Sequence, residues 1–171
     1  MKPVSTNPYQ PLYLIGITLE MIMNSIADAL NLSTQTIAGP AWVTLAYLGI
    51  YGAFMVNLAR VKIGLHRKYH AKGQRFDRYF GQDREMLVAD RIQLNMLEFM
   101  PVFLTLLWLH ALVVSSIEAT ILGATYTLTR AIYPLLLSKK MGKDIPPRLL
   151  IATFSGYFVL TTMAVRIMQH L

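Results

Sequence analysis

Three polar residues on an apolar stretch of this sequence have the types and spacing of a ligand-binding face. Arg91, Asn95 and Glu98 follow one another at steps of four and three residues, so an α-helix places them on one side. Each charged group within a membrane span costs roughly 2.5–3.5 kcal/mol on insertion scales. Residues that are this unfavourable in lipid indicate either a functional site or a buried structural pair.

A second polar stripe follows on the next apolar stretch. Tyr126, Arg130 and Tyr133 again have steps of four and three residues. Only the short turn Ser115-Ser116 separates the two stretches, so their helices are predicted to be antiparallel neighbours with facing stripes. A pocket lined by guanidinium, amide, carboxylate and phenol groups suits a small zwitterionic or anionic ligand.

A purely structural interpretation of the same residues stays open. Glu98 and Arg130 could form a buried pair that fixes only the helix register. Arg91 could extend to lipid headgroups. The sequence alone does not decide between these interpretations and a ligand site.

Other reactive side chains are predicted to have no chemical role. His66 and His70 have metal-like spacing, but no further ligand accompanies them in a basic loop, so we expect no metal site. His110, within an apolar run, is expected to be a core residue. Ser115 and Ser116 have no histidine–carboxylate partner nearby. The chain contains no cysteine, which excludes thiolate chemistry by the protein itself.

The elements that carry these residues are predicted to be membrane-spanning helices. Of 171 residues, 54% are hydrophobic and only 15% charged, against about 25% charged in soluble domains. We expect an all-α integral membrane four-helix bundle over residues 41–171, preceded by an N-terminal extension over 1–40. The predicted spans are about 41–62, 87–114, 117–137 and 149–165.

The extension contains a segment, residues 12–32, with helical amphipathicity. Glu20, Asn24, Asp28 and Asn31 form one polar stripe on an otherwise apolar helix. We interpret it as an amphipathic helix on the non-cytoplasmic surface. An additional membrane span is the alternative.

Loop charge predicts the orientation. Residues 60–85 have eight basic and three acidic side chains, and residues 138–148 have four basic and one acidic. Lysine and arginine are enriched in cytoplasmic loops, so both basic loops are predicted to face the cytoplasm. The formal net charge of +7 then reflects topology and anionic lipid rather than nucleic acid.

The two polar stripes resemble motifs of a known family, the membrane-associated proteins in eicosanoid and glutathione metabolism (MAPEG). Residues 91–108 read RIQLNMLEFMPVFLTLLW, similar to the family's Arg-x-x-x-Asn-x-x-Glu-x-x-Pro motif on its second helix. Residues 123–133 read GATYTLTRAIY, with the spacing of Gly, Tyr, Arg and Tyr on the family's third helix. The likeness extends, in order, over about residues 41–171.

The resemblance implies a four-helix protomer that assembles as a homotrimer and binds glutathione between protomers near the cytoplasmic side. The residues that it would assign to glutathione binding are Arg60, Arg91, Asn95, Glu98, Arg130 and Tyr133. For catalysis, the family arginine that stabilises the thiolate corresponds to Arg148 if two residues are inserted, with Lys143 as the alternative. Two family tyrosines are replaced by Phe99 and Leu137.

The resemblance therefore implies a glutathione-dependent transferase or peroxidase that acts on a lipophilic electrophile from the bilayer, with glutathione as co-substrate. The alternative is a non-catalytic lipid-binding or accessory membrane subunit of the same fold. The replaced tyrosines and the displaced arginine favour that alternative.

Overall fold

A computed structural model describes residues 21–22, 24–25, 34–79, 81, 83–137 and 147–171. The chain divides into two units, Met1–Ala38 and Gly39–Leu171. In the first unit the described residues are helical. Most of the predicted amphipathic segment, residues 12–32, lies outside the described residues, and its position stays a prediction.

From Thr34 onward the described residues form four α-helices, and no described residue lies in a strand. They are α1 (Thr34–His70), α2 (Arg84–Val113), α3 (Ser116–Leu136) and α4 (Pro147–Met168). Side chains from all four meet in one apolar core, so the predicted all-α bundle is confirmed.

Three of these helices are long and apolar enough to cross a membrane: Ile37–His70, Arg84–Val113 and Leu150–Met168. Helix α3 is not among them, because Glu118, Arg130 and four threonines make it more polar. Its 21 residues nonetheless reach the length of about 20 that a span requires. That α3 also crosses the membrane stays a prediction.

Side-chain caps define where α2 and α3 begin. Asp83 Oδ1 accepts hydrogen bonds from the backbone N–H groups of Glu85 (3.0 Å) and Met86 (3.4 Å). Ser115 Oγ accepts one from Glu118 N–H (3.3 Å). These oxygens satisfy N–H groups that have no partner within the helix, and the Ser115 cap allows α3 to start directly after α2.

An aromatic stack joins α1, α2 and α3 at the centre of the core. The ring centroids of Phe103 and Tyr126 lie 4.3 Å apart, and those of Tyr47 and Phe103 lie 4.8 Å apart. The Tyr47 hydroxyl donates to the carbonyl oxygen of Met96 at 2.7 Å. This bond satisfies the buried Tyr47 hydroxyl and fixes the position of α1 along the axis of α2.

An ion pair links the first turn of α3 to the last turn of α4. Arg166 donates from Nε to Glu118 Oε1 (3.0 Å) and from Nη2 to Glu118 Oε2 (3.1 Å). His110 of α2 is fully buried beside this pair, with its Nε2 3.6 Å from Glu118 Oε1. It is a core residue, as expected, but neither of its ring nitrogens forms a hydrogen bond among the described residues. Bidentate geometry orients the two helix ends as well as attracting them.

The loop between α1 and α2 is tied to both helices. Arg78 donates two hydrogen bonds to Asp90 of α2, at 2.8 and 2.7 Å. The hydrogen bonds to Asp90 raise the pKa of Arg78 above its ordinary value. Arg78 therefore stays charged at physiological pH. The Tyr69 hydroxyl donates to Asp83 Oδ2 at 3.2 Å. Residues 60–70 of the predicted basic loop belong to α1 instead. The connection that follows, described over residues 71–79, 81 and 83, is held to α2 by the Arg78–Asp90 bonds.

Gly123 marks a close approach of α3 to α1 and α2. A Cβ at this position would lie 2.6 Å from Leu107 Cδ1 of α2 and 2.9 Å from Val43 Cγ1 of α1. Both distances are too short for carbon atoms in van der Waals contact, which requires about 3.5–4.0 Å. Glycine is needed here for packing rather than for backbone conformation.

We expect Gly123→Ala to destabilise the bundle by about 1–3 kcal/mol, the usual effect of overpacking a core. Gly49→Ala is the matched control, because no atom lies within 4 Å of a Cβ at Gly49 and alanine is the better helix former. Thermal unfolding in detergent, followed by circular dichroism, measures both. Equal unfolding temperatures for the two variants would contradict this account of Gly123.

Candidate functional site

The first polar stripe lies on the outer side of α2. Arg91 and Glu98 are exposed on the protomer surface, and Asn95 between them is half-buried. Among the described residues neither charged group forms an ion pair. Two exposed charges on a membrane-spanning helix are unfavourable in lipid, so this face requires a polar partner.

Arg130, by contrast, is enclosed within the protomer. Its side chain is only 3% exposed. Nη1 donates to Asn95 Oδ1 at 2.8 Å, and Nη2 donates to the carbonyl oxygen of Ala152 at 3.3 Å. One guanidinium group thereby connects α3, which carries it, to α2 and α4.

Aromatic rings and a glycine complete the surroundings of this guanidinium. Its central carbon lies 4.9 Å from the ring centroid of Tyr126 and 5.9 Å from that of Phe99, within the range of cation–π attraction. Gly156 of α4 leaves the space that the group occupies, since a Cβ there would overlap Nη2 and lie 3.0 Å from Cζ. The Phe99 ring also packs edge-on against Tyr157, at 5.4 Å.

Tyr133 lies one helical turn from Arg130 and is 3% exposed. It lies close enough to Arg91, Arg130 and Glu98 to interact with them electrostatically. The structure therefore brings the α2 and α3 stripes together, with Asn95 and Arg130 in direct contact and Tyr133 beside Arg91. Glu98 and Arg130 do not form a buried pair among the described residues, because the Arg130 guanidinium donates its hydrogen bond to Asn95 instead.

The remaining candidates lie apart from this cluster or outside the described residues. Arg60 is exposed on α1. Arg148 stands in the first turn of α4, and its side chain lies outside the described part of the chain. Lys143 falls in the segment 138–146, which is likewise outside it. Their proposed roles stay predictions.

Two residues with structural roles near the site were not identified from the sequence. Gly156 looks like any glycine in an apolar stretch, and no local pattern indicates that an arginine from another helix needs its space. Gln93, on the opposite side of α2 from Arg91, is buried and donates to the Tyr51 hydroxyl at 3.0 Å. That bond joins α2 to α1.

These features identify the class of protein: an all-α integral membrane protein with a charged candidate site at a face shared by α2 and α3. The chain matches the model of the MAPEG family over residues 40–169. It therefore belongs to the MAPEG family, as its two motifs indicate. The matched segment includes every candidate site residue. No individual curated protein matches the chain.

We expect Asn95→Ala to destabilise the bundle by about 1.5–3 kcal/mol, the contribution of a hydrogen bond to a charged group, because it leaves the buried Arg130 without its α2 partner. Asn57→Ala is the control, since Asn57 is exposed on α1. Denaturant unfolding in detergent measures both. An Asn95 variant as stable as the Asn57 variant would show that this bond does not hold the helices together.

Proposed function

We propose that this protein binds glutathione at Arg91, Asn95, Glu98 and Tyr133 and uses it as co-substrate against a lipophilic electrophile from the bilayer. Glutathione has two carboxylates, an ammonium group and a thiol. MAPEG members generally use glutathione, which supports the proposal. The observation that carries it is the exposure of Arg91 and Glu98 on a membrane-spanning helix, where neither forms an ion pair among the described residues.

Charge complementarity assigns the ligand groups. Arg91 donates to a glutathione carboxylate in a charge-assisted hydrogen bond. Glu98, two turns along the same face, accepts from the ammonium group. Tyr133 lies beside both and presents its hydroxyl to the ligand. Arg130 acts indirectly, since it is enclosed in the protomer and braces Asn95.

A second copy of the chain completes the site in this proposal. An exposed arginine and glutamate cost roughly 2.5–3.5 kcal/mol each in the bilayer, and a neighbouring protomer covers them. Arg60, exposed on α1, then reaches the ligand of its neighbour. The assembly we propose is the homotrimer of the family.

Catalysis in this proposal requires a cation beside the glutathione sulfur. A positive charge favours the thiolate over the thiol. The thiolate attacks the electrophilic carbon, so that a C–S bond forms as the bond from that carbon to its leaving group or epoxide oxygen breaks, and the departing anion takes a proton from solvent. Arg148 at the start of α4 is our first assignment for the cation, and Lys143 is the second. If the substrate is a peroxide, the sulfur attacks oxygen instead and the O–O bond breaks to release the alcohol. A second glutathione then converts the sulfenic acid so formed to glutathione disulfide and water.

A non-catalytic function is the second candidate, and the α3–α4 core favours it. Leu137 replaces a family tyrosine and packs in an apolar cluster with Val88 and Ala152. Phe99 replaces another and lies between Arg130 and Tyr157. Neither position offers a hydroxyl group to a substrate. The two functions predict different results when glutathione is added to the purified protein. A catalytic protein should show the ultraviolet difference absorbance of a thiolate, and a non-catalytic protein should not.

For the binding site we expect Arg91→Ala to weaken glutathione binding roughly tenfold or more, because it removes a charge-assisted bond of about 1.5–3 kcal/mol. Arg67→Ala is the matched control, an exposed arginine on α1 outside the site. Titration calorimetry in detergent measures both. Glu98→Gln should weaken binding as well, with Glu85→Gln as its control. No binding by the wild type, or equal binding by Arg91→Ala and the control, would overturn the proposal.

For topology we propose that the loop after α1 faces the cytoplasm and the turn between α2 and α3 faces outward. In intact cells a cysteine at Lys72 should resist a membrane-impermeant maleimide, whereas one at Ser116 should react with it. The cysteine-free chain is the blank for both. The reverse labelling pattern would refute this orientation.

A further inference from the structure

The charged face of α2 has a further ionisable side chain at its edge, Asp90. This residue directly precedes Arg91 and is half-buried. About 100° of helix rotation separates the two residues, and the exposed Leu87 and Leu94 lie between them in projection down the helix axis. Asp90 and Arg91 therefore border one strip of the protomer surface, the strip that a ligand bound at Arg91 contacts.

Arg78, from the loop after α1, neutralises this carboxylate. Its Nη1 donates to Asp90 Oδ2 at 2.8 Å and its Nη2 to Oδ1 at 2.7 Å, a bidentate pair. The two side chains are only 28% and 22% exposed, so salt and water screen the pair less than they screen charges on an open surface. The loop thus supplies α2 with a charge that the helix itself does not carry.

The local structure of the loop presents Arg78 to α2. The Tyr69 ring of α1 and the Phe76 ring lie with their centroids 5.5 Å apart. Tyr79 N–H donates to Asp77 Oδ1 at 2.9 Å, which closes an Asx-turn around Arg78. The position of Arg78 is therefore set by the loop as well as by Asp90.

Without Arg78, the charges beside Arg91 would disfavour an anion. Arg91 would face two carboxylates, those of Glu98 and Asp90, and these three groups together have one net negative charge. Glutathione, with two carboxylates and one ammonium group, is itself a net anion. Adjacent Cα atoms lie about 3.8 Å apart and charges interact over a Debye length of about 8–10 Å, so an uncompensated Asp90 would repel a carboxylate held by Arg91.

We propose that Arg78 is a positioning residue that makes the site selective for an anionic ligand: by pairing with Asp90 it keeps the strip beside Arg91 favourable to a carboxylate. Arg78 acts through Asp90 and does not touch the ligand. A pair with only a structural role would tie the loop to α2 and leave the preference for charge unchanged. The inference rests on the proposed function, since it requires an anion at Arg91, and its first test therefore uses no glutathione.

A cysteine at Leu94 measures the charge of the strip, because the natural chain contains no cysteine. In Leu94→Cys, in a non-ionic detergent, the rate with dianionic dithionitrobenzoate is divided by the rate with uncharged dithiodipyridine. Both reagents react with the same thiolate, so the ratio cancels changes in thiol ionisation. Adding Arg78→Gln should lower the ratio about two- to tenfold, adding Asp90→Asn should raise it, and adding both should restore it.

The opposite directions of the two single substitutions exclude a purely structural role, because both break the same hydrogen bonds. Arg78→Lys should keep the ratio, since it retains the charge without the planar fork. If Arg78→Gln does not fold, as checked by circular dichroism, Asp90→Asn decides alone. An unchanged or lower ratio in Asp90→Asn would overturn the proposal.

Arg75→Gln is the matched control. Arg75 belongs to the same loop, is exposed and forms no ion pair among the described residues, so its removal should leave the ratio nearly unchanged. Equal effects of Arg75→Gln and Arg78→Gln would show that the total charge of the loop matters and not the pair with Asp90, which contradicts the proposal.

Titration calorimetry with glutathione separates this inference from the proposed function. Arg78→Gln should weaken binding about two- to tenfold, Asp90→Asn should not weaken it, and the double variant should bind as the wild type does. A wild type that binds no glutathione refutes the proposed ligand, whereas the predicted rate ratios would still support a strip that Arg78 keeps favourable to another anion. Glutathione binding that is unaffected by Arg78→Gln, despite a lowered rate ratio, would refute the role of Arg78 in selectivity.

Discussion

The buried guanidinium of Arg130 is the constraint on which the arrangement of α2, α3 and α4 depends. A charged group enclosed among membrane helices has neither water nor lipid headgroups to solvate it. Its solvation comes from the Asn95 side chain, the Ala152 carbonyl and the rings of Tyr126 and Phe99. These groups stand on different helices, so moving any one helix along its axis would leave the charge without one of its partners.

The charged side chains of the bundle fall into two groups: those with partners inside the protomer and those exposed on its surface. Arg130 has partners for Nη1 and Nη2 inside the protomer, although its buried Nε makes no hydrogen bond among the described residues. The Glu118–Arg166 pair lies near the opposite end of α3. Arg91 and Glu98 face outward on the helix that Asn95 fixes in rotation. Because α2 is held by that inward bond, its two outward charges have a defined direction in which to meet a ligand or another protomer. Asn95, which binds Arg130, therefore lies on the same stripe of α2 as the two exposed charges.

Helical periodicity was sufficient to predict the stripes, the bundle and the neighbouring positions of α2 and α3. It was not sufficient to predict which polar groups meet. Asn95 and Glu98 share a face and differ by three residues, about 4.5 Å along the axis, and a sequence contains no information on so small an axial offset between helices. Contacts between distant residues, such as Gly156 with Arg130 and Gln93 with Tyr51, were missed because neither partner is unusual in its own stretch. The hydroxyl of Thr127 makes no hydrogen bond among the described residues. That could not be anticipated either, since the sequence does not distinguish Thr127 from the threonines that bond to their own helix.

Helix α1 continues well beyond its apolar part. The part of this helix from Thr34 to Ala59 is free of charged residues and measures about 39 Å, whereas the basic part from Arg60 to His70 adds about 16 Å of regular helix. The uncharged part is longer than the roughly 30 Å of a hydrocarbon layer, so the helix can cross the layer without drawing Arg60 or Lys62 into lipid. A stretch longer than the local layer is accommodated by tilt or by a local thickening of the bilayer. The first charged position, Arg60, therefore limits how far α1 can shift along the membrane normal in one direction, while the uncharged turns before Ala41 leave room in the other.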